Sequence, residues 1–197
     1  IRAGAIIVAT GRRNRTLEVP GAERLEGRGV AYCATCDAPL FRGEDVAVVG
    51  GGNAALYAAL QLSDLARRVV VISNTKLSGE STTIERLREP TAIRGREFVT
   101  SIDIRPVNDH QTTEIPVAGV FVEIGTEPNS AFIKDLVKVD QQGQIKVDCL
   151  GRTSRPGIFA AGDVTEVPEK QIIISAGEGA RAALTAYRYL QSRRSPS

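Results

Sequence analysis

The stretch Asp45-Val-Ala-Val-Val-Gly-Gly-Gly-Asn-Ala-Ala-Leu56 decides the fold. The run Val46–Val49 is apolar without alternation, as in a strand buried on both faces of a parallel sheet. Three glycines follow, and then an Ala- and Leu-rich segment from Asn53 to about Ala66 without Pro or Gly. That composition predicts a helix. Val69–Ile72 is a second buried strand. Strand, glycine turn, helix and strand within about 30 residues make a βαβ unit. Gly50-Gly51-Gly52-Asn53-Ala54-Ala55 has the form G-x-G-x-x-A. In this context Gly50 permits the tight turn, Gly52 lets the backbone approach a pyrophosphate, and Ala55 allows close helix–strand packing. The free N–H groups that open the helix suit a phosphate. The alternative is a glycine turn used for packing alone. After Ile72 comes Ser73-Asn74-Thr75-Lys76, with no acid for the ribose of NAD; Lys76 is either a contact for a 2′-phosphate or a solvated lysine.

Outward toward the N-terminus lies Cys33-Ala34-Thr35-Cys36-Asp37. A C-x-x-C pair beside a βαβ unit suggests a redox dithiol. Two sulfurs at this spacing can form and break a disulfide, and the adjacent Asp37 can move protons. Two alternatives stand beside this reading. One is a zinc site built from Cys33, Cys36, His110 and Cys149; the other is a pair of structural thiols. No metal is expected on balance, because the second pair lacks tight spacing. Further upstream, Ala5–Ala9 reads as a buried strand ending at Thr10–Gly11. Arg12–Gly29 is polar and irregular, with a turn at Pro20–Gly21.

Toward the C-terminus, Ile84–Glu89 is predicted as a short helix ended by Pro90. Glu97–Ile104 is β-prone, Val117–Ile124 is a strand ending at Gly125, and Gln144–Val147 is an edge strand or hairpin arm. Gly157–Ala161 runs into Gly162–Asp163. There Asp163 is a candidate acceptor for ligand hydroxyls, or a helix cap. Ser175–Gln191 is predicted as a helix with Ala176, Ala180, Ala183, Leu184, Tyr187 and Leu190 on one face. Ser192–Ser197 is a polar tail.

Composition bounds these readings. The chain has 197 residues, 42% of them hydrophobic and 24% charged, as in globular chains that bury a core. A net charge of +2 gives no basic footprint for nucleic acid. No apolar run has the length of a membrane span, and no signal peptide is visible. Three cysteines are too few for a disulfide scaffold, so the cytoplasm is expected. There is no Met and the chain begins at Ile1, which is expected of a processed, excised or partial chain.

With these pieces in place, the sequence resembles the low-molecular-weight thioredoxin reductases and, more closely, the flavoprotein component of alkyl hydroperoxide reductases. The resemblance rests on Ile7–Gly11, Cys33–Asp37 with Pro39-Leu-Phe41, Val48–Asn53, Gly119–Gly125 with Pro128-Asn129, and Gly157–Ala180. The stretches Lys170-Gln-Ile-Ile-Ile and Gly177-Glu-Gly-Ala are the most specific. The resemblance implies a Rossmann-like α/β fold with two interleaved domains: a flavin-domain remnant in 1–29 and 117–197, and a shortened NAD(P)-binding domain in 30–116 that carries the C-x-x-C. The family's N-terminal FAD-binding βαβ unit has no counterpart, and no second G-x-G-x-x-G occurs. The family's NADPH-recognising arginines are also missing after Ile72.

The resemblance further implies electron flow from NADH or NADPH through FAD to Cys33–Cys36, with Asp37 as the acid–base residue. Delivery would be to a thioredoxin-like or peroxiredoxin-type protein, from a homodimer. Gly50, Gly51, Gly52, Asn53, Ala54 and Ala55 would hold the nicotinamide nucleotide. Thr10, Gly11, Gly162, Asp163, Lys170, Gln171 and Ile172 would hold FAD. The second expectation is a non-catalytic NAD(P)-binding fragment of such a reductase.

Overall fold

The computed structural model describes residues 3–75, 88–107 and 109–193. In chain order its strands are β1 (Ile6–Val8), β2 (Arg12–Asn14), β3 (Val30–Ala31), β4 (Asp45–Val49), β5 (Arg68–Ile72), β6 (Arg88–Arg94), β7 (Ser101–Pro106), β8 (Thr113–Pro116), β9 (Gly119–Val122), β10 (Thr126–Pro128) and β11 (Ile158–Ala160). The helices are α1 (Ala34–Asp37), α2 (Asn53–Ser63) and α3 (Ile172–Ser192). β2 and β10 form a two-stranded sheet. The chain divides into two compact units, Asn14–Gly125 and the discontinuous pair Ile1–Arg13 with Thr126–Ser197.

The contiguous unit is built on a parallel sheet of order β3-β9-β4-β5. β4 is buried on both faces, as its unbroken apolar run requires. Ala47 and Val49 point into a cluster with Leu25, Val30, Val120, Ile102 and Ile104. Val46 and Val48 point the other way, toward Phe121 and the α2 residues Ala55, Ala58 and Leu62. An antiparallel sheet of order β6-β7-β8 completes the unit. Its presence corrects one expectation in part. Residues 84–87 of the predicted short helix lie outside the described residues, but Arg88 and Glu89 belong to β6 and not to a helix. Pro90 sits inside that strand, where the register shifts. A proline without an N–H is tolerated there because β6 is an edge strand with a bulge.

The boundaries of the units also differ from the expected 29/30 and 116/117. Residues 14–29 and 117–125 fall with the contiguous unit because Leu25 packs in its core and β9 lies between β3 and β4. Such pairings join segments far apart in sequence and leave no local mark.

In the discontinuous unit β1 runs parallel to β11, with Ile6 opposite Ile158 and Val8 opposite Ala160. One face packs Val8, Ile158, Ala160 and Val164 against Ile133, Val137 and Ile145. The other packs Phe159 and Ala161 against Ala182 and Ala186 of α3. The α3 residues buried are Glu178, Ala182, Thr185 and Ala186. This is not the face predicted from sequence. Leu184 and Tyr187 are 57% and 60% exposed. The small Ala182 and Ala186 let the helix approach Phe159 closely, and that approach selects the face. Gln144–Val147, predicted as a strand, contributes only isolated bridges through Ile145 to Val139 and Thr165.

Candidate functional site

In the contiguous unit, β4 delivers the chain into Gly50 at φ +149°, a conformation side chains avoid. A Cβ at Gly50 would run into the Glu123 carbonyl at the end of β9 and would lie 3.1 Å from the Ala55 Cβ. The turn is thus shaped by glycine at Gly50 and by a small residue at Ala55, which is fully buried in α2. A Cβ at Gly51 would crowd the Ser73 and Thr75 hydroxyls. At Gly52 it would meet nothing within 4 Å. Gly52 is the N-cap of α2 and gives no side-chain cap, so the first N–H groups of a helix of 11 residues have no side-chain acceptor from that position. The order β9-β4-β5 places this turn at the C-terminal ends of the strands, beside the point where the chain order reverses. Open α/β sheets receive ligands at such a point. Lys76 lies outside the described residues.

The same unit carries the sulfur chemistry. Cys33 and Cys36 form a disulfide across α1, with Cα atoms 5.3 Å apart. The Cys36 N–H donates to the Cys33 sulfur at 3.2 Å. Cys36 is exposed, and Cys33 and Asp37 are half-buried. Sequence reasoning passed over Glu123. It follows β9, its carboxylate accepts from the Ala34 N–H, and burial pushes its carboxyl up to about 7 against that hydrogen bond. One acidic letter after an apolar strand reads only as the strand's end. The alternative zinc set does not assemble. Cys33 and Cys36 are bonded to each other, His110 and Cys149 are exposed, and among the described residues no three His, Cys, Asp or Glu gather as a metal site.

In the discontinuous unit a cleft of about 450 Å³ is lined by Gly11, Ala161, Gly162, Asp163, Lys170 and Ser175, with Ile172 at the start of α3. β11 ends at Ala160, and Gly162 turns the chain at φ +75°. The Gly162 N–H donates to Glu178 Oε2 at 2.7 Å, and the Ser175 hydroxyl donates to Asp163 Oδ1 at 2.8 Å. Lys170 Nζ donates to the Thr165 carbonyl at 2.6 Å. Burial and the nearby Arg12 lower the Lys170 pKa, with Asp163, Glu178 and Asp140 opposing. Burial also lowers the pKa of Arg12 against the pull of Asp163. The Arg12 Nε is buried without a hydrogen-bond partner. Thr10 turns instead to Asn129, donating to its carbonyl at 2.7 Å, and Gln171 is the exposed N-cap of α3. Arg12, Ser175 and Glu178 carry no motif of their own and were missed; Glu178 stood only inside the specific stretch Gly177–Ala180.

Both units are α/β layers whose strand ends open onto glycine turns, and one of them adds a disulfide. That combination defines a nucleotide-binding redox protein. A family model described as pyridine nucleotide-disulphide oxidoreductase matches residues 1–183, and the chain belongs to that family. It is 40% identical over 210 residues to the F component of alkyl hydroperoxide reductase in Pseudomonas putida, spanning all of this chain and 40% of that protein. The protein of the same name in Staphylococcus aureus (strain MSSA476) is 39% identical, over 96% of this chain and 40% of its own length. The chain thus spans about two fifths of these curated relatives. Among solved structures, thioredoxin reductase from Streptococcus pyogenes matches with TM-score 0.87 and 36% identity, over 95% of this chain and 66% of that one. Thioredoxin reductase from Giardia duodenalis matches with TM-score 0.85 and 31% identity, over the same shares. The Rossmann-like fold expected from sequence is the fold these neighbours share. No described helix is long and apolar enough to cross a membrane.

Proposed function

We propose that the chain is a flavin-dependent disulfide reductase, passing electrons from NADH or NADPH through FAD to the Cys33–Cys36 disulfide and on to a thioredoxin-like or peroxiredoxin-type protein. The observation that carries this reading is the Cys33–Cys36 disulfide formed within the unit that also holds the open Gly50–Asn53 turn. The relatives it matches are named as reductases of this kind. The setting proposed is the cytoplasm, where thiols are kept reduced, and the working form a homodimer. In this reading residues 30–116 serve the nicotinamide nucleotide, and 1–29 with 117–197 serve the flavin.

The residues present fit both cofactors. The open side of Gly52 and the α2 N–H groups of Asn53, Ala54 and Ala55 suit a pyrophosphate, with Gly50 and Gly51 shaping the turn. In the second cleft the orphaned Arg12 Nε, Gly162, Asp163 and Lys170 would hold the flavin, with Thr10, Gly11, Gln171 and Ile172 bordering it. When bound, FAD supplies a two-electron relay between a nicotinamide and a disulfide. The chain's own part is at the sulfurs. The Cys36 N–H stabilises negative charge on Cys33 when the S–S bond opens, which makes Cys33 sulfur the better thiolate. Asp37, next to Cys36, exchanges a proton with the Cys36 sulfur. Exposure of Cys36 gives a partner's disulfide access to the pair.

One observation favours a second reading, a nucleotide-binding piece without turnover. β1 and β11 make a sheet of only two strands, and Ile6 and Ile7 are 50% and 40% exposed. Parallel strands are ordinarily covered on both faces. The visible absorption spectrum of the purified chain separates the two, taken before and after anaerobic NADH or NADPH. The reductase reading expects a flavin band that bleaches, faster with the preferred nucleotide. A colourless chain that FAD cannot reconstitute overturns it in favour of the binding piece.

A further inference from the structure

Within the Cys33–Asp37 turn, two backbone N–H groups serve two different acceptors. The Cys36 N–H donates to the Cys33 sulfur at 3.2 Å, and the Ala34 N–H donates to the Glu123 carboxylate. Ala34 follows Cys33 directly, so the carboxylate and the sulfur lean on the same turn. In the disulfide the sulfur is neutral. Once the S–S bond is open, Cys33 is the sulfur with an N–H already aimed at it, and it is the one that keeps the negative charge. A second charge then arises beside Glu123, and like charges at short range oppose each other's ionisation. Glu123 is half-buried, and burial already holds its carboxyl at about 7 although the Ala34 N–H favours the anion. The titratable and charged groups on the elements around it are Cys33, Cys36 and Asp37 on the α1 turn and Arg15, whose backbone N–H pairs with the Gly125 carbonyl. The Gly50–Asn53 turn brings backbone only: Gly50 approaches the Glu123 carbonyl, and no charged side chain comes with it.

We propose that Glu123 is a positioning residue for the Cys33–Cys36 pair, acting through the Ala34 turn, and that its carboxylate takes up a proton whenever the disulfide is reduced. The inference rests on the redox reading of Cys33–Cys36 and goes beyond it, because it gives the reduced pair a proton store apart from Asp37. With an external dithiol as reductant, the Cys33–Cys36 bond breaks and a disulfide forms in the reductant. Its two electrons reach the two sulfurs. Of its two protons, one makes Cys36 a thiol and the other goes to Glu123, leaving Cys33 as the thiolate bound by the Cys36 N–H.

The test is the infrared difference spectrum between the oxidised full chain and the chain reduced by dithiothreitol at pH 8, with free thiols counted in parallel. Cys149 is the one free cysteine of the oxidised chain, so complete reduction raises the count to three. Reduction is expected to add the C=O stretch of a protonated carboxylic acid, absent in Glu123→Gln and retained in Asp37→Asn. Glu123→Gln is also expected to carry about tenfold more Cys33 thiolate below its titration midpoint, read by ultraviolet absorbance. A thiol count of three with no carboxylic acid band overturns the inference. So does a band that vanishes in Asp37→Asn and survives in Glu123→Gln. A count that stays at one sinks the redox reading itself, and this inference with it. The wild-type band needs no variant, so poor folding of Glu123→Gln cannot mask the answer.

Discussion

The two units reach their ligand-facing turns by opposite uses of burial. In the contiguous unit, β4 lies inside a four-stranded sheet with apolar clusters on both faces, and its site is made of backbone and a disulfide. In the discontinuous unit two parallel strands carry the core. Large side chains such as Ile172 and Ile173 stand 90% and 79% exposed. Its cleft is held by side-chain charge instead: Arg12, Asp163, Lys170 and Glu178 act on one another. The difference teaches that one unit shapes its turn by packing and the other by electrostatics.

The sharpest break would come at the sulfurs. Cys33→Ser is expected to abolish reduction of a partner's disulfide while nucleotide binding to the same unit persists, checked by turnover and by nucleotide fluorescence. If turnover survives, the chemistry belongs elsewhere. Next in size is the packing contrast. Phe121, fully buried and edge-on to Phe41, should cost about 3–5 kcal/mol when changed to Ala. Ile7→Ala in the thin β1–β11 sheet should cost under about 1 kcal/mol. Urea unfolding measures both, and equal losses would erase the contrast. Gly52→Ala is smaller in stability and larger in binding. The added methyl meets no atom, so melting should be unchanged, while the Kd for NADH or NADPH rises at least about tenfold. A Kd that does not move would reduce the turn to a packing device.

The smallest effect is a pH slope. Glu123 holds its proton more tightly folded than unfolded, so its contribution to stability is full below about pH 4.5 and is lost as pH rises through about 7. Glu123→Gln should flatten the decline between those values in a pH series of urea midpoints. Asp45 and Asp140 act in the other sense. Hydrogen bonds and charge from Arg67 and Arg68 lower Asp45; the Gln144 and Gln142 donors, with Lys146, lower Asp140 against its burial. Their stabilisation is present above the usual aspartate range and fades as pH falls below it, so the two windows do not overlap.

The βαβ core was legible because β4, the glycine turn and α2 announce themselves within a dozen residues. The existence of α3 was legible too, but not its buried face. Seven of its 21 positions are alanine or glycine, residues that mark no face by themselves. Burial of Glu178 is decided by the Gly162 N–H sixteen residues earlier, which no helical periodicity records. The β6–β7–β8 meander escaped because Pro90 argues against a strand unless its edge position and bulge are known. Of the candidate sites, the motif residues were visible. Arg12 and Glu123 were not, because each owes its state to burial by distant segments.

The pairing of β1 with β11 has a consequence for the order of events during synthesis. Ile6 waits for Ile158, whereas every partner of β4 lies within Asn14–Gly125. The contiguous unit can therefore collapse and form its disulfide while the ribosome is still adding the rest, and the first strand must stay unpaired until nearly the whole chain has emerged.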